Sequence, residues 1–175
     1  MGTADGLGNF VRQILDVPEK VDTRSYLQFL FFKHILRVNT RVPWPVHFTS
    51  RVVAPEKIRL GRATYPGDMP GCYIQGNNGI EVGDYAIFGP NVGIISANHD
   101  PANLDQHLPA EPIRIGRHCW VGMNAVILPG VQLGDHTHVG AGSVVTHSFP
   151  EGHCVIAGNP ARLIRPVAPP TSANP

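Results

Sequence analysis

From Ile115 the chain divides into consecutive six-residue words, IGRHCW, VGMNAV, ILPGVQ, LGDHTH, VGAGSV and VTHSFP, each opening on an aliphatic residue. The first positions are Ile115, Val121, Ile127, Leu133, Val139 and Val145. The fifth positions, Cys119, Ala125, Val131, Thr137, Ser143 and Phe149, are small or apolar. Upstream, an independent frame gives VGDYAI, FGPNVG and IISANH, opening on Val82, Phe88 and Ile94. All nine words keep the apolar first position and six place glycine second, which chance does not supply.

A six-residue period fits neither a helix nor a two-sided strand. A short strand followed by a tight turn, three times over, makes a three-walled coil of about eighteen residues. Its first-position aliphatics then point inward and stack about 4.8 Å apart along the axis. Glycine, asparagine and aspartate near the corners are expected to supply left-handed backbone angles. One coil cannot bury its own core, so coils must stack and the ends need caps. The expected fold is therefore mainly β, a parallel β-helix with a short helical segment before it.

Composition agrees. Nineteen glycines and seventeen prolines are too many for a helical bundle, and charged residues are only 15% of the 175. A net charge of +1 gives no overall case for nucleic acid. Cys72, Cys119 and Cys154 are odd in number and lack CxxC spacing. They read as buried thiols in a reducing compartment. No basic-apolar-small leader opens the sequence, and the expected location is cytoplasmic.

The repeat lapses once, in IISANHDPANLDQHLPAEP, residues 94–112, and the lapse begins at a histidine. IISANH still reads as a word, with Ile94 inward, Asn98 in the small inward place and His99 last. The loop 100–114 then leaves the wall and the repeat resumes at Ile115. His99 would thus be fixed by a rigid strand, with a loop able to fold over it and limit water.

The runs GIEVGDYAIFGPNVGIISANHD and RIGRHCWVGMNAVILPGVQLGDHTHVGAGSVVTHSFP, with the ending VIAGNPARLIR, closely resemble the hexapeptide-repeat acyltransferases. Sugar O-acetyltransferases of the maltose and galactoside type and polysaccharide-decorating relatives share this pattern. The resemblance covers roughly residues 72–165. It implies a left-handed parallel β-helix, a homotrimer, and acetyl coenzyme A as co-substrate with no metal. Acyl transfer from a thioester needs a base near the working pH, and histidine is the natural one. The resemblance places that base at His99, where it takes the proton from the attacking acceptor. Relatives often carry proline after this histidine; here Asp100 follows, leaving open which group orients the ring.

The same resemblance places the donor in a groove between subunits, its pantetheine arm on the backbone amides of Met123 and Ala141. Gly122, Gly140 and Gly142 would let a ligand approach the backbone, and Trp120 matches the aromatic beside the active centre. Arg162 and Arg165 fall near the cofactor phosphates. Gln75, Asn78 and Asp100 are candidate acceptor contacts, with turn formation as the plainer role of the first two. Two other readings stand beside this one. A zinc enzyme of the γ-carbonic-anhydrase type would use His118 and His136, eighteen residues apart, with His138 nearby. Two stacked histidines fall short of the three protein ligands such a site wants. A non-catalytic β-helix module would need neither the loop nor the GNPAR ending.

Residues 24–38, RSYLQFLFFKHILRV, form the one convincing helix, within an N-terminal capping segment 1–45. It either covers the open end of the coil, packs on a neighbouring subunit, or lies on a membrane. The last reading draws on Lys33, Arg37, Arg41, Arg51, Lys57, Arg59 and Arg62, and makes residues 24–62 a peripheral membrane contact. The acyltransferase domain is 46–165, and the proline-rich tail 166–175 reads as disordered. The acceptor is expected to be a sugar hydroxyl on a polysaccharide or lipid-linked precursor. The amine of a nucleotide-linked amino sugar is the alternative.

Overall fold

The computed structural model describes residues 12–168. Three parallel walls run along one axis. The first carries Arg51–Val53, Tyr73–Gln75, Gly93–Ile95, Val126–Ile127 and Val144–Val145. The second carries Ile58–Leu60, Ile80–Val82, Ile113–Ile115 and Gln132–Leu133. The third carries Ile87–Phe88, Trp120–Val121, Thr137–Val139 and Cys154–Gly158, and Ala161–Pro166 pairs antiparallel at its end.

The six-residue words account for the core. Ile74, Ile94, Ile127 and Val145 are successive partners down the first wall, and each is 0% exposed. Phe88, Val121, Val139 and Ile156 are successive partners down the third, and all four are buried. Fifth positions Ala86, Val92, Cys119, Ala125, Val131, Thr137 and Ser143 are also buried. Phe149 is partly buried, and Asn98 is the one exposed fifth position. Ser96 and Ala97 turn inward instead, so the frame is lost before His99 rather than after it.

The corners divide two jobs that composition had merged. Left-handed φ occurs at the fourth position of the words, at Tyr85, Asn91, His118, Asn124, Gly130, His136 and Gly142. Second-position glycine serves a different need. A Cβ on Gly83, Gly89, Gly116 or Gly122 would lie 2.5–2.7 Å from a backbone nitrogen of the next coil. Glycine there sets the coil spacing. Gly122→Ala is accordingly expected to cost about 1–3 kcal/mol of stability by overpacking. Gly142, with φ +69° and open space around its missing Cβ, is expected to cost about 1 kcal/mol as alanine. Denaturant unfolding of the two variants ranks them, and equal costs would remove the distinction.

Two coils precede the regular ones, and the six-residue frame does not reveal them. Arg51 pairs with Tyr73 and Tyr73 with Gly93, spacings of 22 and 20, because their corners carry extra residues. The first strand of the coil begins at Arg51. The N-terminal helix is also shorter than expected. Helix α1 spans Thr23–Leu30, capped by Asp22 accepting from the Ser25 amide, and Phe31–Ile35 continues as a π-helical turn. Neither buries a residue. The core is closed at this end by Val42, Trp44 and Val46, with Trp44 Nε1 donating to the Pro66 carbonyl at 3.0 Å. Phe32 stacks on Phe48 at 4.0 Å and fastens the helical segment to that plug.

At the other end Pro166 belongs to the last strand, and the Val167 amide donates to the His153 carbonyl at 2.7 Å. The expectation of disorder therefore does not hold at 166–167, and residues 169–175 of that segment lie outside the described residues. All three cysteines are free and buried, as expected, and burial pushes the Cys119 thiol up to about 11.

Candidate functional site

Ile94 pairs with Ile127, thirty-three positions on, whereas Ile127 pairs with Val145, eighteen on. The difference is the excursion. It leaves the first wall after Ile95 and rejoins the second at Ile113, which pairs with Ile80. Within it His99–Asp100 and Asn103–His107 form an antiparallel hairpin.

His99 sits at the root of this hairpin. Its Nδ1 lies 2.6 Å from the Leu104 carbonyl. A carbonyl only accepts, so Nδ1 carries a proton, and in the neutral ring the lone pair is on Nε2. The ring packs against His107, centroids 4.4 Å apart, and His107 Nε2 is 3.4 Å from Asn77 Nδ2. The group orienting the His99 ring is thus a main-chain oxygen. No side-chain signal in the sequence could have marked it.

The residues one coil earlier hold this root in place. Gln75 is buried and its amide closes on Ala97 twice, accepting from the Ala97 nitrogen at 2.8 Å and donating to its carbonyl at 3.1 Å. Asn78 Nδ2 donates to the carbonyls of Ser96 at 3.0 Å and Leu108 at 2.9 Å, tying strand to returning loop. Leu108 also donates to the Asn98 carbonyl at 2.8 Å. Asp100 Oδ1 accepts from the Ala102 amide at 2.8 Å and shapes the hairpin turn. All three are thereby spent on the hairpin.

The loop does not fold over His99 within this chain. His99 is exposed, and so is every residue from 101 to 111. The hairpin projects as an arm, because its residues have no wall of their own to pack on.

The remaining candidate residues gather at a different corner, between the third and first walls. Trp120 is 52% exposed on the outer face and meets His138 edge-on at 6.0 Å. Met123 and Ala141 occupy equivalent corner positions in consecutive coils, and Gly142 donates to the Met123 carbonyl at 2.8 Å. Among the described residues neither the Met123 nor the Ala141 amide donates a hydrogen bond. The contrast with the corner between the second and third walls is sharp. There the Arg62 and Arg117 amides are each capped at 2.7 Å by an aspartate, Asp84 and Asp135, of the next coil. Open amides beside open space are what an extended amide-bearing ligand requires.

Gly122 and Gly140 do not supply that space. A Cβ on Gly122 would meet Ala141 backbone nitrogen at 2.7 Å, and one on Gly140 would meet Ala157 Cβ at 2.9 Å. Both face the next coil, and Gly142 alone of the three faces open space. Arg162 pairs with Ala157 in register, so it continues this corner toward the C-terminal end. Its Nη1 lies 3.2 Å from His147 Nε2, and Arg165 is exposed.

His118 and His136 stack face to face, centroids 5.0 Å apart and planes 8° from parallel, and His153 extends the stack at 4.8 Å. Parallel rings send their lone pairs along parallel planes rather than to a shared point, so they do not form a tetrahedral site. Among the described residues no group of three or more histidine, cysteine or acidic side chains could hold a metal ion. The basic run of the N-terminal half is not one patch either. Lys33 donates to the Val42 carbonyl, Lys57 to the Asn77 carbonyl, Arg59 pairs with Glu81 and Arg62 with Glu19.

A chain of this architecture, with one histidine-rooted excursion, defines the class, and comparison with known proteins agrees. Residues 112–147 match the bacterial transferase hexapeptide (six repeats) family. The chain is 32% identical to the galactoside O-acetyltransferase of Escherichia coli K12 over 154 residues, 86% of this chain and 71% of that one. It is 35% identical over 115 residues to WcaF of Escherichia coli K12, a proposed colanic acid biosynthesis acetyltransferase, spanning 62% of that protein's length. Among solved structures, a maltose O-acetyltransferase from Clostridium difficile superposes with a TM-score of 0.61 at 31% identity, covering 69% of this chain and 64% of that one. A hexapeptide-repeat acetyltransferase from Vibrio cholerae, complexed with acetyl coenzyme A, gives a TM-score of 0.56 at 25% identity over 96% of this chain and 92% of that one. The chain belongs to the hexapeptide-repeat transferases, and its fold is their left-handed β-helix.

Proposed function

We propose that this protein transfers an acetyl group from acetyl coenzyme A to a sugar hydroxyl, with His99 as general base. The carrying observation is the 2.6 Å contact from His99 Nδ1 to the Leu104 carbonyl, which in the neutral ring puts the lone pair on Nε2, on a residue that is exposed. The open amides of Met123 and Ala141 suit the two amide groups of a pantetheine arm. Arg162 and Arg165, farther along the same corner, suit the cofactor phosphates. Galactoside and maltose O-acetyltransferases among the similar proteins favour an alcohol over an amine as the nucleophile.

His99 roots between the first and second walls, while Met123 lies between the third and first. One chain therefore presents base and donor groove at different corners. A homotrimer about the coil axis direction brings the base of one subunit to the donor groove of the next, and the projecting hairpin then has a surface to cover. The exposed Leu27, Phe31, Ile35 and Leu36, beside Arg24, Arg37 and Arg41, suit an acceptor presented at a membrane surface, such as a lipid-linked sugar. Among the described residues no helix is long and apolar enough to cross one.

The test is acetyl coenzyme A consumption across neutral sugars, amino sugars and nucleotide sugars, with sedimentation equilibrium on the same sample. Transfer to a sugar hydroxyl by a trimer is expected. A monomer, or transfer confined to amines, overturns the corresponding part of the proposal.

A further inference from the structure

His107 has no place in the repeat, yet the hairpin sets it directly opposite His99. Directly opposed residues of an antiparallel pair project their side chains to the same face. The two imidazoles meet there, centroids 4.4 Å apart and planes tilted by 32°. Main-chain bonds close the base of the pair. The Leu108 amide, next to His107, donates to the carbonyl of Asn98, next to His99, at 2.8 Å. The Asn78 side chain holds the Leu108 carbonyl at 2.9 Å. A further link braces the His107 ring itself. Its Nε2 lies 3.4 Å from Asn77 Nδ2, and the Asn77 carbonyl accepts from Lys57 Nζ at 2.9 Å. Asn77 and Asn78 form the corner between Tyr73–Gln75 and Ile80–Val82, one coil earlier. The brace for His107 is therefore part of the coil and not of the arm.

The four ring nitrogens divide unequally. His99 Nδ1 is taken up by the Leu104 carbonyl. An amide NH2 only donates, so His107 Nε2 accepts, and in the neutral ring its proton sits on Nδ1. One lone pair is left free, on His99 Nε2. The pair thus holds one base and one brace, and His107 is not a second base.

What the base lacks is a wall. His99 and residues 101–111 are exposed, so no core residue packs the His99 ring. A single hydrogen bond fixes one ring nitrogen and leaves the ring plane free to rock. A second aromatic face laid against it removes that freedom.

We propose that His107 is a positioning residue for the base. Its ring, braced by Asn77, holds the His99 imidazole in the plane that keeps Nδ1 on the Leu104 carbonyl and Nε2 unprotonated. The proposal rests on the reading of His99 as base and names the group that makes its geometry reproducible. The property used is a ring face rather than a titrating nitrogen, so phenylalanine can supply it.

The test compares wild type, His107→Ala and His107→Phe, with acetyl coenzyme A and the best of the screened sugars, beginning with methyl galactoside. His107→Ala is expected to lower kcat about tenfold to a hundredfold, with both KM values within about twofold. His107→Phe is expected to recover most of that loss. Because His107 is exposed, its substitution leaves the fold intact. The second readout is the His99 tautomer, read from ring nitrogen chemical shifts in isotope-labelled protein at about pH 9, where imidazoles are neutral. Wild type and His107→Phe should carry the proton on Nδ1 alone, and His107→Ala should show a mixture of tautomers. An unchanged kcat in His107→Ala, a loss that phenylalanine does not recover, or a loss carried by the acceptor KM overturns the proposal. An unchanged tautomer in His107→Ala overturns it as well, whatever kcat does. If wild type acetylates no sugar, the acetyl-transfer reading fails, and the tautomer alone decides the role of His107. A mixture in His107→Ala that His107→Phe restores to one form then sustains it.

Discussion

His99→Ala is expected to lower turnover by about 10²–10⁴, the contribution of a positioned general base. Acetyl coenzyme A affinity should be nearly unchanged, because the open amides of Met123 and Ala141 lie at another corner of the coil. The fold should survive as well. His99 is exposed, and its substitution removes one side-chain hydrogen bond, to the Leu104 carbonyl, worth about 1 kcal/mol. The measurement is kcat with a saturating acceptor, alongside calorimetric binding of coenzyme A. A fully active variant would remove His99 from the chemistry. A variant that lost coenzyme A binding would mean that the hairpin serves the donor rather than the acceptor.

Ile94→Ala is expected to cost about 2–5 kcal/mol of folding stability, out of a total usually between about 5 and 15. Ile94 is 0% exposed and lies between Ile74 and Ile127 in register, so its deletion leaves a cavity inside the coil stack. Walls on all sides are hydrogen-bonded to neighbours and cannot collapse into the gap. The position also matters for the site, since Ile94 belongs to the strand that carries the chain to His99. Urea unfolding should show a lower midpoint. A loss below 1 kcal/mol would mean that the stack is looser than its register implies.

The two substitutions probe features of unequal legibility. The aliphatic period was sufficient to assign Ile94, Ile127 and Val145 to one inward ladder, because inward stacking is the only way a six-residue period buries its apolar residues. It also located the excursion, since an insertion is visible against a repeat. The same period failed before residue 72, where corners of variable length preserve wall register but destroy sequence spacing. It misplaced Asn98 for a related reason. Departure from the wall begins inside the word IISANH, at a point fixed by the Gln75 amide gripping Ala97.

Glycine makes the same division clear. Sequence shows glycine at the second position of most words, but not why. The reason is a distance between coils, which exists only once they stack. Sequence by itself determined the repeat, the walls, the inward residues and the candidate base, because each follows from local periodicity and side-chain chemistry. Only the tertiary structure decided what holds and surrounds that base. The Asn78 clasp on Leu108 and the Gln75 grip on Ala97 are meetings between distant segments, and the Leu104 carbonyl reaches His99 only because the hairpin turns back; main-chain atoms or single unpatterned residues make all three. Such groups carry no sequence signature, since what distinguishes them is the neighbour that folding supplies.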